Sequence, residues 1–148
     1  MRNNLTITLN PKELAAVNRW LSQMGDVDRT ETVAKAFKEG ATIIKEAGRI
    51  NLSARNKVNK GNLKKSFSIK VVKKKAYALS GFKRPKGAAA HLVDRGTKKR
   101  YTHAGYYRGA AKGSYFWTDA VQESGPRAVN KLMDAVYKSL EEITNRNN

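Results

Sequence analysis

The stretch SFSIKVVKKKAYALSGF, residues 66 to 82, decides the fold class. Phe67, Ile69 and Val71 alternate with Ser66, Ser68 and Lys70, and Tyr77 and Leu79 alternate with Ala78 and Ser80. Strand side chains point to opposite faces in turn, so a period of two predicts two half-buried strands. The connection through Lys73-Lys74-Lys75 is too short for a crossover, which makes the pair antiparallel. Lysines at a hairpin turn or sheet edge also discourage edge-to-edge pairing, a purely solubilising role that competes with any functional one.

Helical patterns lie on both sides of this hairpin. On its N-terminal side, Val33, Phe37, Ala41 and Ile44 recur every three or four residues, joined by Ala34, Ile43 and Ala47. Asp28 with Glu31 three residues later has the form of a capping box and is expected to start that helix. Gly48 or a point near Asn56 ends it; the pattern leaves the choice open. Further upstream, Leu5, Ile7 and Leu9 alternate with threonines as a short strand. Leu14, Val17 and Leu21, with Trp20 and Met24, give residues 11 to 24 one apolar face, stopped at Gly25. On the C-terminal side, Val129, Leu132, Met133, Val136, Leu140 and Ile143 form the cleanest helical stripe. Pro126 suits the first turn of a helix. Gly125-Pro126 is therefore expected to separate this helix from a short segment that begins at Phe116, Trp117 and Ala120. Lys60-Gly61-Asn62 reads as a turn, and Asn145 to Asn148 as a fraying end.

The order strand, helix, helix, strands, loop, helix predicts one α+β domain, an antiparallel sheet of about three to four strands with helices packed on one face. Its parts are a strand over 1–10, helices over 11–57, strands over 66–84, a mobile loop over 96–113 and a helical C-terminus over 117–145. A chain of 148 residues with 40% hydrophobic content suits one domain with its own core.

The net charge of +18 is local. From Lys45 to Lys112 there are 20 Lys and Arg against Glu46 and Asp94, whereas residues 1 to 44 carry 6 basic against 5 acidic and residues 113 to 148 carry 4 against 5. Charge of this kind draws a protein to polyanions, either nucleic acid or acidic protein surfaces, without choosing between them. With no Cys, disulfides, thiolate catalysis and cysteine-based metal sites are excluded. The first ten residues lack the apolar core of a signal peptide, and no apolar run approaches the roughly 18 residues of a membrane span, so an unexported protein without a membrane segment is expected.

Catalytic signals are sparse. There are two histidines, His91 and His103, too few for the three or four ligands of a usual metal site. No Gly-x-Ser-x-Gly and no phosphate-binding Gly-x-x-x-x-Gly-Lys-Ser/Thr occurs. Asp94 is the sole acid between Gly48 and Gly113, against the several carboxylates that magnesium nucleases bring together. A non-enzymatic protein without cofactor or metal is expected.

Between Gly96 and Gly113 the chain has no helical or strand period and reads as a long loop, a feature that is uncommon in compact domains unless functional or disordered. Lys98, Lys99, Arg100, Arg108 and Lys112 interleave there with Tyr101, Tyr106 and Tyr107. Such a set can neutralise phosphates and stack bases. It can equally dock on an acidic protein, since Tyr and Arg are favoured interface anchors. An idle solvated loop is a third reading.

Three stretches in order, KGNLKKS (60–66), HLVDRGTKKR (91–100) and YFWTDA (115–120), together resemble the small tail-completion, or head–tail joining, proteins of long-tailed bacteriophages. That family's pattern is Gly-x-Leu-Arg/Lys-x-Ser after a helix. An apolar residue, Glu, any residue and Gly-Thr follow, and then Pro-Phe-x-x-Pro-Ala before a terminal helix. Residues 28 to 145 are covered. Asp94 stands where the family has Glu, and Tyr115 and Asp119 replace its two prolines. The resemblance implies a phage or prophage virion structural protein made in the bacterial cytoplasm and placed at the virion neck or tail. It implies a ring of copies of this chain, sixfold, contacting tail-tube and head-connector proteins, with DNA passing through and touching it only transiently. Gly96 would launch the loop and Thr97 hold its turn, with Phe116 and Trp117 anchoring the far end. The basic middle and the more acidic Asp119, Glu123, Glu141 and Glu142 would supply the two complementary patches that a closed ring requires.

Two other readings remain. One is a small basic nucleic-acid-binding module that uses the same stretch. The other is a ribonuclease-like activity that would need His91 or His103 as acid or base.

Overall fold

The computed structural model describes residues 26–55, 61–72 and 77–146, together with Ala15, Arg19 and Ser22. The strand expected over 1–10, most of the helix expected over 11–24 and the Lys73-Lys74-Lys75 turn lie outside the described residues. The architecture is α+β. The described elements are α1 (Asp26–Arg55), α2 (Gly61–Lys64), β1 (Phe67–Val72), β2 (Tyr77–Phe82), α3 (Ala90–Arg95), β3 (Arg100–Tyr101), β4 (Tyr107–Gly109) and α4 (Phe116–Arg146). Among the described residues, in place of one sheet of three to four strands there are two antiparallel two-stranded sheets, β1-β2 and β3-β4.

Several boundaries differ from the sequence reading. Helix α1 begins at Asp26, so Asp28 lies inside it and does not cap it, and it passes Gly48 to reach Arg55. The Lys60-Gly61-Asn62 turn gives way at Gly61 to the single helical turn of α2. Helix α4 runs unbroken through Pro126. Proline removes one backbone donor and crowds the preceding turn, a cost of about 3 kcal/mol in a helix interior. Burial of Ser124 and Ala128 on either side of exposed Pro126 offsets that cost. On β2 the alternation is present but its faces are exchanged. Leu79 is 53% exposed and Tyr77 is exposed too, whereas Ala78 and Ser80 are half-buried. A period of two fixes alternation, not which face meets the core.

The chain forms two compact units, interleaved in sequence. Unit 1 comprises residues 1–44, 69–80 and 124–148. Its core is Ala36 from α1 with Leu132, Ala135 and Val136 from α4, flanked by Phe37, Met133 and Leu140. Buried Thr32, Ala36, Gly40 and Ile44 recur every four residues, as do Ala128, Leu132 and Val136. These are the i, i+4 ridges along which helices pack. Gly40 brings the two backbones together: a methyl there would lie 2.9 Å from the Ala128 carbonyl oxygen and 3.4 Å from Leu132 Cβ. In Gly40→Ala, the roughly 1 kcal/mol of helix propensity gained is outweighed by about 1–3 kcal/mol of overpacking. Thermal unfolding is expected at a lower Tm than the parent's, whereas the propensity alone would raise it.

Unit 2 comprises residues 45–68 and 81–123. Its core is aromatic. Phe116 is fully buried. Phe67 stands 4.8 Å from Phe82 and 6.0 Å from Trp117, and Phe82 stands 5.8 Å from Phe116 and 5.0 Å from Trp117, centroid to centroid. The rings are tilted or edge-to-face, the arrangement that their quadrupoles favour. Gly48 leaves room for them, since a methyl there would lie 2.6 Å from Trp117 Cε3 and 3.1 Å from Phe67 Cε1.

Candidate interaction site

All three stretches that carry the resemblance fall in unit 2. Ser66 ends the first. It is buried, and both its backbone N–H and its hydroxyl donate to the Leu63 carbonyl, at 3.0 and 2.7 Å. That closes the turn of α2 and delivers Phe67 into the aromatic core.

Asp94, in the second stretch, joins the third. The residue is 5% exposed, and its carboxylate accepts the backbone N–H groups of Trp117 and Thr118, at 2.8 and 3.1 Å, and the Thr118 hydroxyl at 2.6 Å. The first N–H groups of a helix have no partner within it, and the positive end of the helix dipole favours an anion. Asp94 therefore caps α4 from 22 residues upstream of its first residue, Phe116. Around it the Tyr115 N–H donates to the Asp94 carbonyl at 2.7 Å, and both the N–H and the hydroxyl of Ser114 donate to the Val93 carbonyl at 3.0 Å. Tyr115 takes a positive φ of 51°. Arg55, from the end of α1, clamps the same turn. Its guanidinium donates to the Ser114 and Tyr115 carbonyls at 3.2 Å and pairs with the Asp119 carboxylate. The Asn51 amide donates to the Phe116 carbonyl at 3.2 Å.

On this base stands the segment from Gly96 to Gly113. It is not an irregular loop but an antiparallel arm. Gly96 bridges Lys112, Arg100 pairs with Gly109 and Tyr101 with Tyr107, with an irregularity between the last two pairs. Strands of two and three residues with both faces exposed need no apolar alternation, so no period announces them. Gly96 takes the positive φ expected of it, 81°. Thr97 bonds across the arm's base: its N–H donates to the Ala111 carbonyl and its hydroxyl oxygen accepts the Ala111 N–H, both at 2.8 Å. At the tip, Thr102 plays the same double part, its N–H donating to the Tyr106 carbonyl at 2.8 Å and its Oγ1 accepting the Tyr106 N–H at 3.0 Å.

The arm presents the residues singled out from the sequence. Lys98, Lys99, Arg100, Arg108 and Lys112 are all exposed, and among the described residues none of them forms an ion pair. Tyr101, Tyr106 and Tyr107 are exposed as well, Tyr106 at 74%, and the Tyr101 and Tyr107 rings lie 5.5 Å apart. Bringing Tyr101 and Tyr107 together is the work of β3 and β4. The sequence does not single out the positioning residues Arg55 and Asn51, because nothing in a helical stripe marks a polar residue that will reach backbone carbonyls 59 to 65 positions away.

His91 and His103 are both exposed, and among the described residues no three His, Asp or Glu side chains come together. No helix among the described residues is long and apolar enough to cross a membrane. Comparison with protein-family models, with curated proteins and with solved structures yields no match to this chain.

Proposed function

We propose that this protein is a non-enzymatic phage or prophage virion component that completes the tail or joins it to the head by assembling into a ring, the arm of each copy gripping the next. One observation carries the reading. Residues 96–113, pinned at the base by Gly96, Thr97 and the Asp94-capped helix, project three exposed tyrosines and five cations that form no ion pair among the described residues. Exposed Tyr beside Arg is the composition of an interface anchor, and a pre-folded arm loses less entropy on docking than a free loop. The three stretches that carry the tail-completion resemblance meet in the unit that holds this arm.

A closed ring needs a second, different patch on each copy. Exposed Glu123 in unit 2, or exposed Glu141 and Glu142 in unit 1, are candidates for it. Asp119 is not, because it pairs with Arg55. The ring's partners would be tail-tube and head-connector proteins, its place the virion neck or tail, and its copy number six.

Light scattering coupled to gel filtration, at 150 and 500 mM salt on nucleic-acid-free protein, tests the reading. A discrete species several times the 16.5 kDa chain is expected. In Tyr106→Ser, association should weaken by about 30-fold or more, as for an interface residue worth about 2 kcal/mol. A species unchanged by that substitution would count against the arm as the contact.

A further inference from the structure

A second cationic feature of unit 2 lies outside the arm. Lys65, Ser66, Lys83, Arg84, Pro85 and Lys86 line one cavity of about 320 Å³, where the end of the α2 turn meets the chain leaving β2. The wall is fixed by short contacts. The Lys83 N–H donates to the Ser66 carbonyl at 2.7 Å, the Gly87 N–H donates to the Lys83 carbonyl at 2.9 Å, and the Ser66 hydroxyl is turned away onto the Leu63 carbonyl. A methyl on Gly87 would lie 2.5 Å from Phe82 Cβ and 2.9 Å from Ser66 Oγ, so only glycine lets this turn close on Ser66. The turn sets four cationic side chains about one cavity. No acidic residue lines it, and among the described residues none of the four cations forms an ion pair. The nearest acid in sequence, Asp94, is occupied with the cap of α4.

We propose that this cavity is a phosphate-binding site for the sugar–phosphate backbone of nucleic acid. Four cations with no counter-charge around one small cavity call for an anion of high charge density on a compact group, which phosphate supplies and a lone carboxylate does not. The Ser66 hydroxyl and the Ser66 and Lys83 backbone N–H groups already have partners, leaving the charged side chains to do the binding. The contact is therefore blind to sequence, positioning without specifying, and strongly weakened by salt. A few phosphates held in this way suit a protein past which DNA must still move. The site belongs to a single chain and does not depend on ring formation.

The test is titration of a fluorescein-labelled 20-base-pair duplex, read by anisotropy between 50 and 200 mM NaCl. Three proteins are compared: the parent, a cavity variant (Lys65→Gln, Lys83→Gln, Arg84→Gln, Lys86→Gln) and a charge-matched arm variant (Lys98→Gln, Lys99→Gln, Arg108→Gln, Lys112→Gln). The cavity variant is expected to lose at least about 10²-fold in affinity at 100 mM, and its slope of log K against log salt to become shallower by about 0.9 for each phosphate contact removed. The arm variant should lose at least tenfold less. Circular dichroism checks that both variants fold, and the single Lys86→Gln change, expected to lose about one contact, replaces the fourfold variant if it does not. Equal losses in the two variants would overturn the proposal, since net charge alone would then account for binding. So would a polyglutamate peptide whose affinity falls as far as that of DNA in the cavity variant, because the cavity would then be a general acceptor of acidic protein. Loss of DNA binding with oligomer mass unchanged supports the cavity whatever becomes of the ring. Loss of the ring with the cavity's salt slope intact removes the assembly reading alone.

Discussion

Asp94→Ala should lower stability by about 3 kcal/mol. Three donors lose their acceptor at once: the N–H groups of Trp117 and Thr118 and the Thr118 hydroxyl. A hydrogen bond to a charged group contributes about 1.5–3 kcal/mol, a lost helix cap costs up to about 2 kcal/mol, and such terms overlap within one network. For a chain of this size the Tm should fall by roughly 6–12 °C, as followed by thermal circular dichroism. Asp94→Asn keeps one oxygen acceptor and should lose about half as much. A Tm within a degree or two of the parent's in Asp94→Ala would mean that the cap is not what holds α4 to the preceding turn.

Gly96→Ala should open the base of the arm while leaving the helices of unit 1 folded. At φ 81° and ψ −170°, Gly96 occupies a backbone region that is essentially reserved for glycine. An added methyl would also press on the Ala111 carbonyl oxygen and come within 2.6 Å of the Gly113 backbone nitrogen. Strain of about 1–3 kcal/mol combined with a backbone clash leaves the Thr97–Ala111 pair no way to close. Hydrogen exchange should therefore quicken by about 10²-fold at the Thr97 and Ala111 amides, the factor that corresponds to about 3 kcal/mol. Gly105 is the contrast. It too has a positive φ, 83°, but no heavy atom lies within 4 Å of its would-be Cβ, and Asn tolerates that conformation. Gly105→Asn should leave exchange at the arm's base unchanged. If both substitutions behave alike, the close approach at Gly96 is not what closes the arm.

The parts of this fold that were legible in sequence are those governed by local periodicity. The alternation at Phe67 to Val71 and at Tyr77 to Ser80 gave the hairpin, and the stripes at Val33 to Ile44 and Val129 to Leu140 gave the two long helices. What escaped depends on contacts between residues far apart. Pro126 looks like a helix start because its ring disfavours an interior position, yet burial of the neighbouring turns carries α4 through it. Gly48 resembles a stop, whereas it is a close-packing site facing Trp117, as Gly40 is facing Ala128. The arm illustrates both cases. Its exposed lysines, arginines and tyrosines were named from composition alone, and Gly96 from its turn chemistry. Its strands are too short for a period, and the pair of hydrogen bonds between Thr97 and Ala111 spans fourteen residues. Asp94 was visible as a lone acid in a basic stretch, but its task became clear only once the start of α4 lay above it. The cation-lined cavity at Lys65 and Lys83 to Lys86 joins two stretches separated by a whole hairpin, a juxtaposition that no linear reading offers.

The claim that the arm of one copy grips another is tested most directly by a photo-activatable cross-linker placed at Tyr106, the most exposed of the arm's tyrosines. Illumination of the purified protein in 150 mM salt, followed by denaturing electrophoresis and mass spectrometry of the joined peptides, shows what the tip touches. The account predicts covalent multimers of the 16.5 kDa chain, with Tyr106 joined to the region of Glu123 or of Glu141 and Glu142 on another copy. Covalent multimers absent at every protein concentration tested would contradict it.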